Sequence, residues 1–179
     1  MKATISANGK TVQVEMTEEQ LKELGVIKER SRTGYERVKK DETYYVIDTE
    51  YNSMSKITEF NDQEDEQCYN AGNYFNDKII AENNARADKL LRCLRQWQAA
   101  NDKAISISDW ENDKINKYCI AYNYSLNELN TGMERKLRRP NTIYFSTFQK
   151  TEEAIEVFRD ELLWYFTKYQ QRLDEEQGE

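Results

Sequence analysis

The sequence predicts an α+β fold, in which an N-terminal β-hairpin and a short helix precede two tandem ββ(β)α repeats, and antiparallel strands pack on two long helices. Three observations lead to this prediction. Segments rich in β-branched and aromatic residues are separated by turn residues. Two long runs carry apolar residues at helical spacing, one beginning near residue 77 and one near residue 151. Several residues recur 73 positions later in the chain.

The first predicted element is a β-hairpin between Lys2 and Glu15, because apolar and polar residues alternate on both sides of Asn8-Gly9. That dipeptide favours the positive φ angles of a tight type I′ turn. A short helix follows, since Thr17 and Gln20 have the spacing of a capping box and Gly25 can end the helix in the left-handed conformation. The next stretch carries six basic side chains and predicts a basic linker, with Gly34 as a turn.

The first repeat is predicted to contain three strands and a helix. Residues 43–48 are rich in β-formers, residues 56–60 alternate as a returning strand, and residues 68–75 form a third strand. Gly72 in the third strand indicates a bulge or a close backbone contact. The helix is predicted to be capped by Asn76 and to run to about residue 100.

The second repeat is predicted to follow the same order. Residues 117–122 and 143–145 form strands, and Asn130-Thr131-Gly132 turns the chain between them. A helix with a strong apolar face begins at about Thr151. In the polar connection before this repeat, residues 108–110 start a short turn of helix.

A gapless offset of 73 supports the interpretation that the two repeats arose by duplication. It aligns eight identical residues in 47 positions, where about three are expected from ordinary residue usage. They are Tyr45, Ile47, Tyr51, Thr58, Phe75, Ala81, Arg86 and Leu90. In this alignment Phe75 corresponds to Phe148. The packing demands shared by all ββα units are the alternative explanation.

Six segments result from these predictions. They are the hairpin and short helix, the basic linker, the first repeat, the connection, the second repeat and a polar tail, over residues 1–27, 28–42, 43–100, 101–116, 117–173 and 174–179.

The composition excludes several classes of function. The chain of 179 residues has a net charge of −7 and no histidine. The negative charge disfavours indiscriminate binding to DNA or to an anionic membrane. Without histidine, Ser-His-Asp and Cys-His catalysis and ordinary zinc sites are excluded, and no glycine-rich phosphate loop is present. We therefore expect that the protein is not an enzyme and uses no cofactor.

The cysteines and the apolar runs predict the compartment. Cys68, Cys93 and Cys119 match no metal or redox spacing and indicate reduced thiols. No apolar run reaches membrane-spanning length, and the N-terminus lacks the apolar segment of a secretion signal. We expect a cytoplasmic protein without membrane contact.

Two charged segments are the candidate binding sites. The acidic one is a candidate protein-binding patch, formed by Asp62, Glu64, Asp65 and Glu66. Glu64, Asp65 and Glu66 also form the best candidate for a Mg²⁺ or Ca²⁺ site, although they lack the spacing of a calcium loop. The basic segment is a candidate for nucleic-acid binding or self-association, formed by Arg135, Lys136, Arg138 and Arg139.

The repeat alignment places the two charged segments in equivalent positions. We therefore expect them to attract each other, within one molecule or between two copies, so that the protein is a monomer or a homodimer. The alternative is that they are unrelated solvated edges whose charges discourage aggregation.

Five motifs resemble those of small proteins encoded by phages and mobile elements of Firmicutes. The resemblance extends over nearly the whole chain, and the motifs that carry it are Asn8-Gly9-Lys10, Thr17-Glu18-Glu19-Gln20-Leu21, Tyr44-Tyr45-Val46-Ile47-Asp48, Gly72-Asn73-Tyr74-Phe75 and Tyr144-Phe145-Ser146-Thr147. Some proteins of this kind are anti-CRISPRs, which inhibit the type II RNA-guided DNA endonuclease. The motifs are caps, turns and strand ends, so the resemblance transfers no site residue.

The resemblance implies an inhibitory binding protein in the cytoplasm of a bacterial host. Its partner would be a guide-RNA-loaded CRISPR nuclease or another host protein with a basic surface. Such a nuclease holds nucleic acid in positively charged channels, which an acidic protein could occupy to block DNA binding or cleavage. The alternative is a nucleic-acid-binding accessory protein of a phage or mobile element, which would use the basic segments against phosphates.

Overall fold

A computed structural model describes residues 2–7, 10–17, 20–21, 24, 32–50 and 53–177. The chain divides into two compact units, residues 1–33 and residues 34–179. Helices and antiparallel sheets are both present, which confirms the predicted α+β class.

The N-terminal unit contains the predicted hairpin. Strand β1 (Lys2–Ala7) pairs antiparallel with strand β2 (Lys10–Glu15), and the predicted turn lies outside the described residues. The capping box is confirmed, because the backbone N–H of Gln20 donates to the Thr17 hydroxyl at 3.2 Å and the N–H of Thr17 donates to Gln20 Oε1 at 3.0 Å. Gly25, the predicted end of the short helix, also lies outside the described residues.

The second unit begins with an irregular segment that packs against the core. Gly34 has a φ of +96°, and a Cβ atom added there would lie 3.0 Å from Ile80 Cγ1. The linker prediction is therefore incomplete, because Gly34 is buried against a helix instead of forming a solvent-exposed turn. Asn76 binds this segment, since its N–H donates to Gly34 O at 2.9 Å and its side-chain amide donates to Glu36 O at 2.9 Å.

The first hairpin of the second unit pairs strand β3 (Thr43–Asp48) with strand β4 (Ser53–Thr58). The predicted third strand is wrong, because helix α1 (Gln63–Asn70) includes its first three residues, a turn follows at residues 71–72, and only Phe75 forms a bridge, to Tyr45. The long helix α2 (Lys78–Asn101) follows, as predicted.

The caps of these helices differ from the predicted ones. Helix α1 ends in a Schellman arrangement, in which Gly72 has a φ of +71° and its N–H donates to Tyr69 O at 3.1 Å. Gly72 is therefore a helix-ending residue and the predicted bulge is wrong. The N-cap of α2 is Asp77 instead of Asn76, since the Asp77 carboxylate accepts the N–H groups of Ile79 and Ile80.

The remaining elements form a three-stranded sheet and two helices. They are α3 (Ile107–Glu111), β5 (Lys117–Asn123), β6 (Glu128–Glu134), β7 (Tyr144–Phe145) and α4 (Phe148–Thr167), followed by a 3₁₀ turn at Leu173–Gln177. The strand order is β6-β5-β7, and both pairings are antiparallel.

Two predictions for this region are corrected. Asn130-Thr131-Gly132 lies inside β6, and the chain turns instead at residues 124–127, where Asn127 takes a φ of +54°. Helix α4 begins at Phe148, earlier than predicted, because the Thr147 hydroxyl caps it by accepting the N–H of Lys150. The predicted short helix near residue 108 is confirmed as α3.

The predicted equivalence of Phe75 and Phe148 is wrong. Tyr45 pairs with Phe75, which is 3% exposed, whereas Tyr118 pairs with Phe145. Phe148 lies in the first turn of α4 and is 55% exposed. Thirty positions separate the first pair and 27 separate the second, so a gapless alignment loses register before the helix. We call β3, β4 and α2 the first hairpin–helix unit, and β5, β6 and α4 the second. Their origin by duplication stays a prediction.

Helix α2 contributes side chains to two apolar clusters. Its first half packs with Ile47 and Phe75, while Leu90 and Leu94 in its second half pack with apolar residues of α4. It contacts β3, β4 and α4, and α4 in turn contacts the three-stranded sheet. The three cysteines are free thiols.

Candidate functional site

The acidic segment does not form one surface patch. Asp62 is the N-cap of α1, and Asp65 completes a capping box with it. Asp65 is only 2% exposed, whereas Glu64 and Glu66 are exposed, and Glu66 forms an ion pair with Arg37. Asp65 is therefore removed from the predicted protein-binding patch by its burial.

Asp65 anchors α1 to the first hairpin. Its carboxylate accepts the Tyr44 hydroxyl at 2.7 Å, the N–H of Phe60 at 2.7 Å and the N–H of Asp62 at 3.2 Å. Burial by itself would raise the pKa of Asp65, but these hydrogen bonds outweigh it and lower the pKa below its ordinary value. The start of the helix is thus held by a buried, charged acceptor.

A second carboxylate lies in the same buried cluster and was missed from the sequence. Glu59 is 0% exposed and accepts the Tyr74 hydroxyl at 2.6 Å, Arg37 Nη2 at 3.0 Å and the N–H of Asn61 at 3.0 Å. A signal was present, because Glu59 has the same parity as the apolar Ile57 in the alternating strand pattern.

Two stacked tyrosines join these carboxylates. The rings of Tyr44 and Tyr74 lie 4.0 Å apart at 13°, and each hydroxyl donates to one carboxylate, Asp65 and Glu59 respectively. Burial first, and then the neighbouring carboxylate, raises the pKa of both hydroxyls. We call the cluster of Arg37, Tyr44, Glu59, Asp65 and Tyr74 the anionic anchor.

The anionic anchor is suited to holding structure. Within the described residues, no buried side-chain nitrogen or oxygen lacks a hydrogen-bond partner. No group of three or more cysteine, aspartate or glutamate side chains in the described part of the chain is arranged to hold a metal ion. Glu64, Asp65 and Glu66 therefore do not converge as the sequence-based metal candidate required.

The surface around α1 combines aromatic and acidic groups. Phe60 is 57% exposed and Tyr69 is 41% exposed, and Glu64 lies between them in the sequence. Tyr69 also contacts Arg37, whose guanidinium lies 5.7 Å from the centre of its ring. We call this stretch, residues 60–69, the α1 surface. Exposed aromatic side chains with nearby charge are typical of protein-binding surfaces.

The basic segment follows β6, in the second hairpin–helix unit, and its side chains have their own partners. Arg135 Nε donates to Asn116 Oδ1 at 3.2 Å, and all four side chains are exposed. Two of them form ion pairs, Lys136 with Asp113 at 3.5 Å and Arg139 with Glu134 at 2.6 Å. Arg138 lies over the ring of Trp110, at 5.9 Å from its centre.

No ion pair joins the two charged segments in the part of the molecule that the structure describes. Among the ion pairs of the described residues, Glu66 pairs with Arg37, and none joins residues 62–66 to residues 135–139. Attraction between two copies stays a prediction.

A buried cation lies beside the basic segment. Lys117 is fully buried, and its ammonium donates to Arg135 O at 2.7 Å and to Asn112 O at 3.2 Å. The ammonium also lies 5.1 Å from the centre of the Trp110 ring, which meets Tyr144 edge to face at 4.8 Å. We call Lys117, Trp110 and Tyr144 the cationic anchor, and sequence patterns gave no signal for it.

Comparison with known protein families, curated proteins and solved structures finds no match to this chain. None of the described helices is both long enough and apolar enough to cross a membrane.

Proposed function

We propose that this protein is a phage-type inhibitory binding protein that blocks a basic, nucleic-acid-binding partner by contact through the α1 surface. The specific partner is the guide-loaded type II RNA-guided DNA endonuclease, and the protein acts without catalysis. The observation that supports this proposal is the exposure of Phe60, Glu64 and Tyr69 beside a helix whose start is held by the buried Asp65.

Preorganisation is the physical basis of the proposal. A binding surface on a fixed backbone loses less conformational entropy on association than a mobile one. Asp65 fixes the backbone at Phe60 and Asp62 through hydrogen bonds, so that the residues on either side keep their positions. Acidic side chains accelerate encounter with a basic groove, and aromatic side chains supply contact area once it is reached.

The test is co-purification with the guide-loaded nuclease, followed by a target-cleavage assay at increasing protein excess. We expect a stable complex and reduced cleavage with the unaltered protein. The double variant Phe60→Ala/Glu64→Lys is expected to weaken both effects at least about tenfold, because it removes an aromatic contact and reverses a charge.

A matched control is available on the outer face of α4, where Val157 and Asp160 are both exposed. The variant Val157→Ala/Asp160→Lys makes the same kinds of change far along the chain from α1 and is expected to inhibit as well as the unaltered protein. Absence of both association and inhibition at large excess overturns the proposed target. Binding to DNA alone, with steep loss on adding salt, would instead favour the nucleic-acid-binding alternative.

A further inference from the structure

A cavity of about 280 Å³ lies where the second half of α2, helix α3 and the segment before β7 meet. Its lining combines two arginines with polar and apolar side chains: Arg95, Gln98, Trp110, Arg138, Thr142 and Ile143 line it, together with Ala104, Ile105 and Tyr144. No carboxylate lines it. In a chain of net charge −7, a cavity with two guanidinium groups and no acidic lining is a local reversal of charge.

The two arginines are available to a ligand. The guanidinium of Arg138 lies over the ring of Trp110, and neither Arg138 nor Arg95 forms an ion pair with a carboxylate in the described part of the chain. By contrast, Arg139 of the same segment is paired with Glu134. Guanidinium groups bind phosphate oxygens through two parallel hydrogen bonds, so unpaired arginines at a cavity wall favour a phosphorylated ligand.

The rest of the lining suits an aromatic or apolar body attached to that phosphate. Trp110, Ile105 and Ile143 provide apolar wall, and Gln98 and Thr142 offer an amide and a hydroxyl. The volume is near the lower end of the range of ligand pockets, about 300–1,000 Å³, which accommodates one nucleotide unit rather than a longer strand.

The walls of the cavity are fixed by the cationic anchor. The Tyr144 hydroxyl donates to Leu137 O at 3.1 Å and accepts the N–H of Arg139 at 3.1 Å, which holds the backbone on both sides of Arg138. Lys117 holds the backbone of Arg135 in the same way. Ala104 and Ile105 also line a second, neighbouring cavity of about 170 Å³. Two lysines and one carboxylate contribute to the lining of this second cavity: Lys103, Lys117 and Asp109.

The geometry points to a binding site for a nucleoside 5′-phosphate, supplied either as a free nucleotide or as the 5′-phosphorylated end of a nucleic-acid strand. The phosphate contacts Arg95 and Arg138, and the base lies against Trp110. This site is independent of the α1 surface and of the proposed nuclease inhibition.

The test uses adenosine 5′-monophosphate as the probe. Its binding to the full chain is measured by calorimetry and by the change in Trp fluorescence. We expect saturable binding, with adenosine and inorganic phosphate each at least about tenfold weaker, because each lacks one half of the recognised group. Arg95→Gln and Arg138→Gln are each expected to weaken binding at least about tenfold. Arg135→Gln is the matched control, because Arg135 is exposed in the same segment but does not line the cavity.

A second arm distinguishes the two sources of the ligand. A hexanucleotide with a 5′-phosphate that binds more tightly than adenosine 5′-monophosphate identifies a strand end, and the reverse order identifies a free nucleotide; both support the site. Equal loss of affinity in Arg135→Gln and Arg138→Gln would overturn it, since that result indicates diffuse attraction. Binding of a phosphotyrosine peptide without nucleotide binding, or no binding of the nucleotide at millimolar concentration, would overturn it as well.

Discussion

The two hairpin–helix units bury charges of opposite sign at corresponding places. Tyr74 and Tyr144 are both buried shortly before a long helix, and each hydroxyl accepts a backbone N–H, from Val38 and from Arg139. The Tyr74 hydroxyl donates to the buried carboxylate of Glu59. Tyr144 instead contacts Trp110, whose ring lies next to the buried ammonium of Lys117.

The difference lies in how each charge is compensated. The carboxylates of the anionic anchor accept backbone N–H groups and also side-chain donors, which are the guanidinium of Arg37 and two tyrosine hydroxyls. Lys117 is paired instead with two backbone carbonyls and an aromatic face. One arrangement of strands and helix therefore accepts either sign, provided that every donor and acceptor is satisfied.

The largest expected effect is the loss of Glu59. The variant Glu59→Ala removes the buried acceptor of the Tyr74 hydroxyl and of Arg37, which keeps only its exposed partner Glu66. We expect the variant to lower the free energy of unfolding by about 3–5 kcal/mol. Urea denaturation followed by circular dichroism measures the change. Glu64→Ala, an exposed residue five positions later, serves as control and is expected to unfold like the unaltered protein. Equal stability of the two variants would contradict the role of Glu59.

A smaller effect is expected in the cationic anchor. Lys117→Met keeps the length of the side chain but leaves Asn112 O and Arg135 O without a donor, which we expect to cost about 1–3 kcal/mol. The loss is expected to be smaller than for Glu59 because Lys117 forms no ion pair with another described residue, whereas Glu59 is an ion-pair partner of Arg37. The same denaturation experiment measures it, and a loss as large as that of Glu59→Ala would remove the distinction between the two anchors.

The pH dependence of stability sharpens the comparison further. The folded pKa of Asp65 is lowered below its value of about 3.9 in an unfolded chain, so its carboxylate stabilises the fold above about pH 4. This contribution is lost as the pH falls through the folded pKa. We expect Asp65→Asn to be less stable than the unaltered protein at pH 7, and the difference between them to narrow as the pH falls below 4. Denaturation at several pH values measures it, and a constant difference would be the contrary result.

The smallest expected effect concerns the ion pair that joins helix α2 to helix α4. Arg86 of α2 contacts Glu161 of α4 through two hydrogen bonds of 2.8 and 3.0 Å and lies 4.0 Å over the ring of Trp164. Both charged side chains are partly exposed, so a double-mutant cycle between Arg86→Ala and Glu161→Ala is expected to give a coupling of about 0.3–1 kcal/mol. A coupling of zero would show that this pair does not join the helices.

The sequence predicted the elements whose signals are local. The hairpin at the N-terminus, the Thr17–Gln20 capping box and helix α2 were identified correctly, because each depends on residues within a few positions of one another. The predicted third strand at residues 68–75 was wrong although a local signal for a helix was present. Asp62 and Asp65 have the spacing of a capping box, and that box begins helix α1.

The candidate site was predicted in part. The sequence indicated the segment that contains α1 and the basic residues near Arg138, but it did not separate the buried Asp65 from the exposed Glu64. Neither Glu59 nor Lys117 was identified. Each depends in part on a partner 18 or more positions away, which is Arg37 for Glu59 and the Arg135 carbonyl for Lys117.

The amino-acid order alone determined the α+β class and most of the strands and helices, since turn residues, caps and apolar periodicity act over one or two turns of chain. Only the tertiary structure decided which charges are buried, and therefore which acidic and basic residues remain at the surface. A charge can be buried only where distant segments bring it a partner, and a single sequence does not record which distant segments meet.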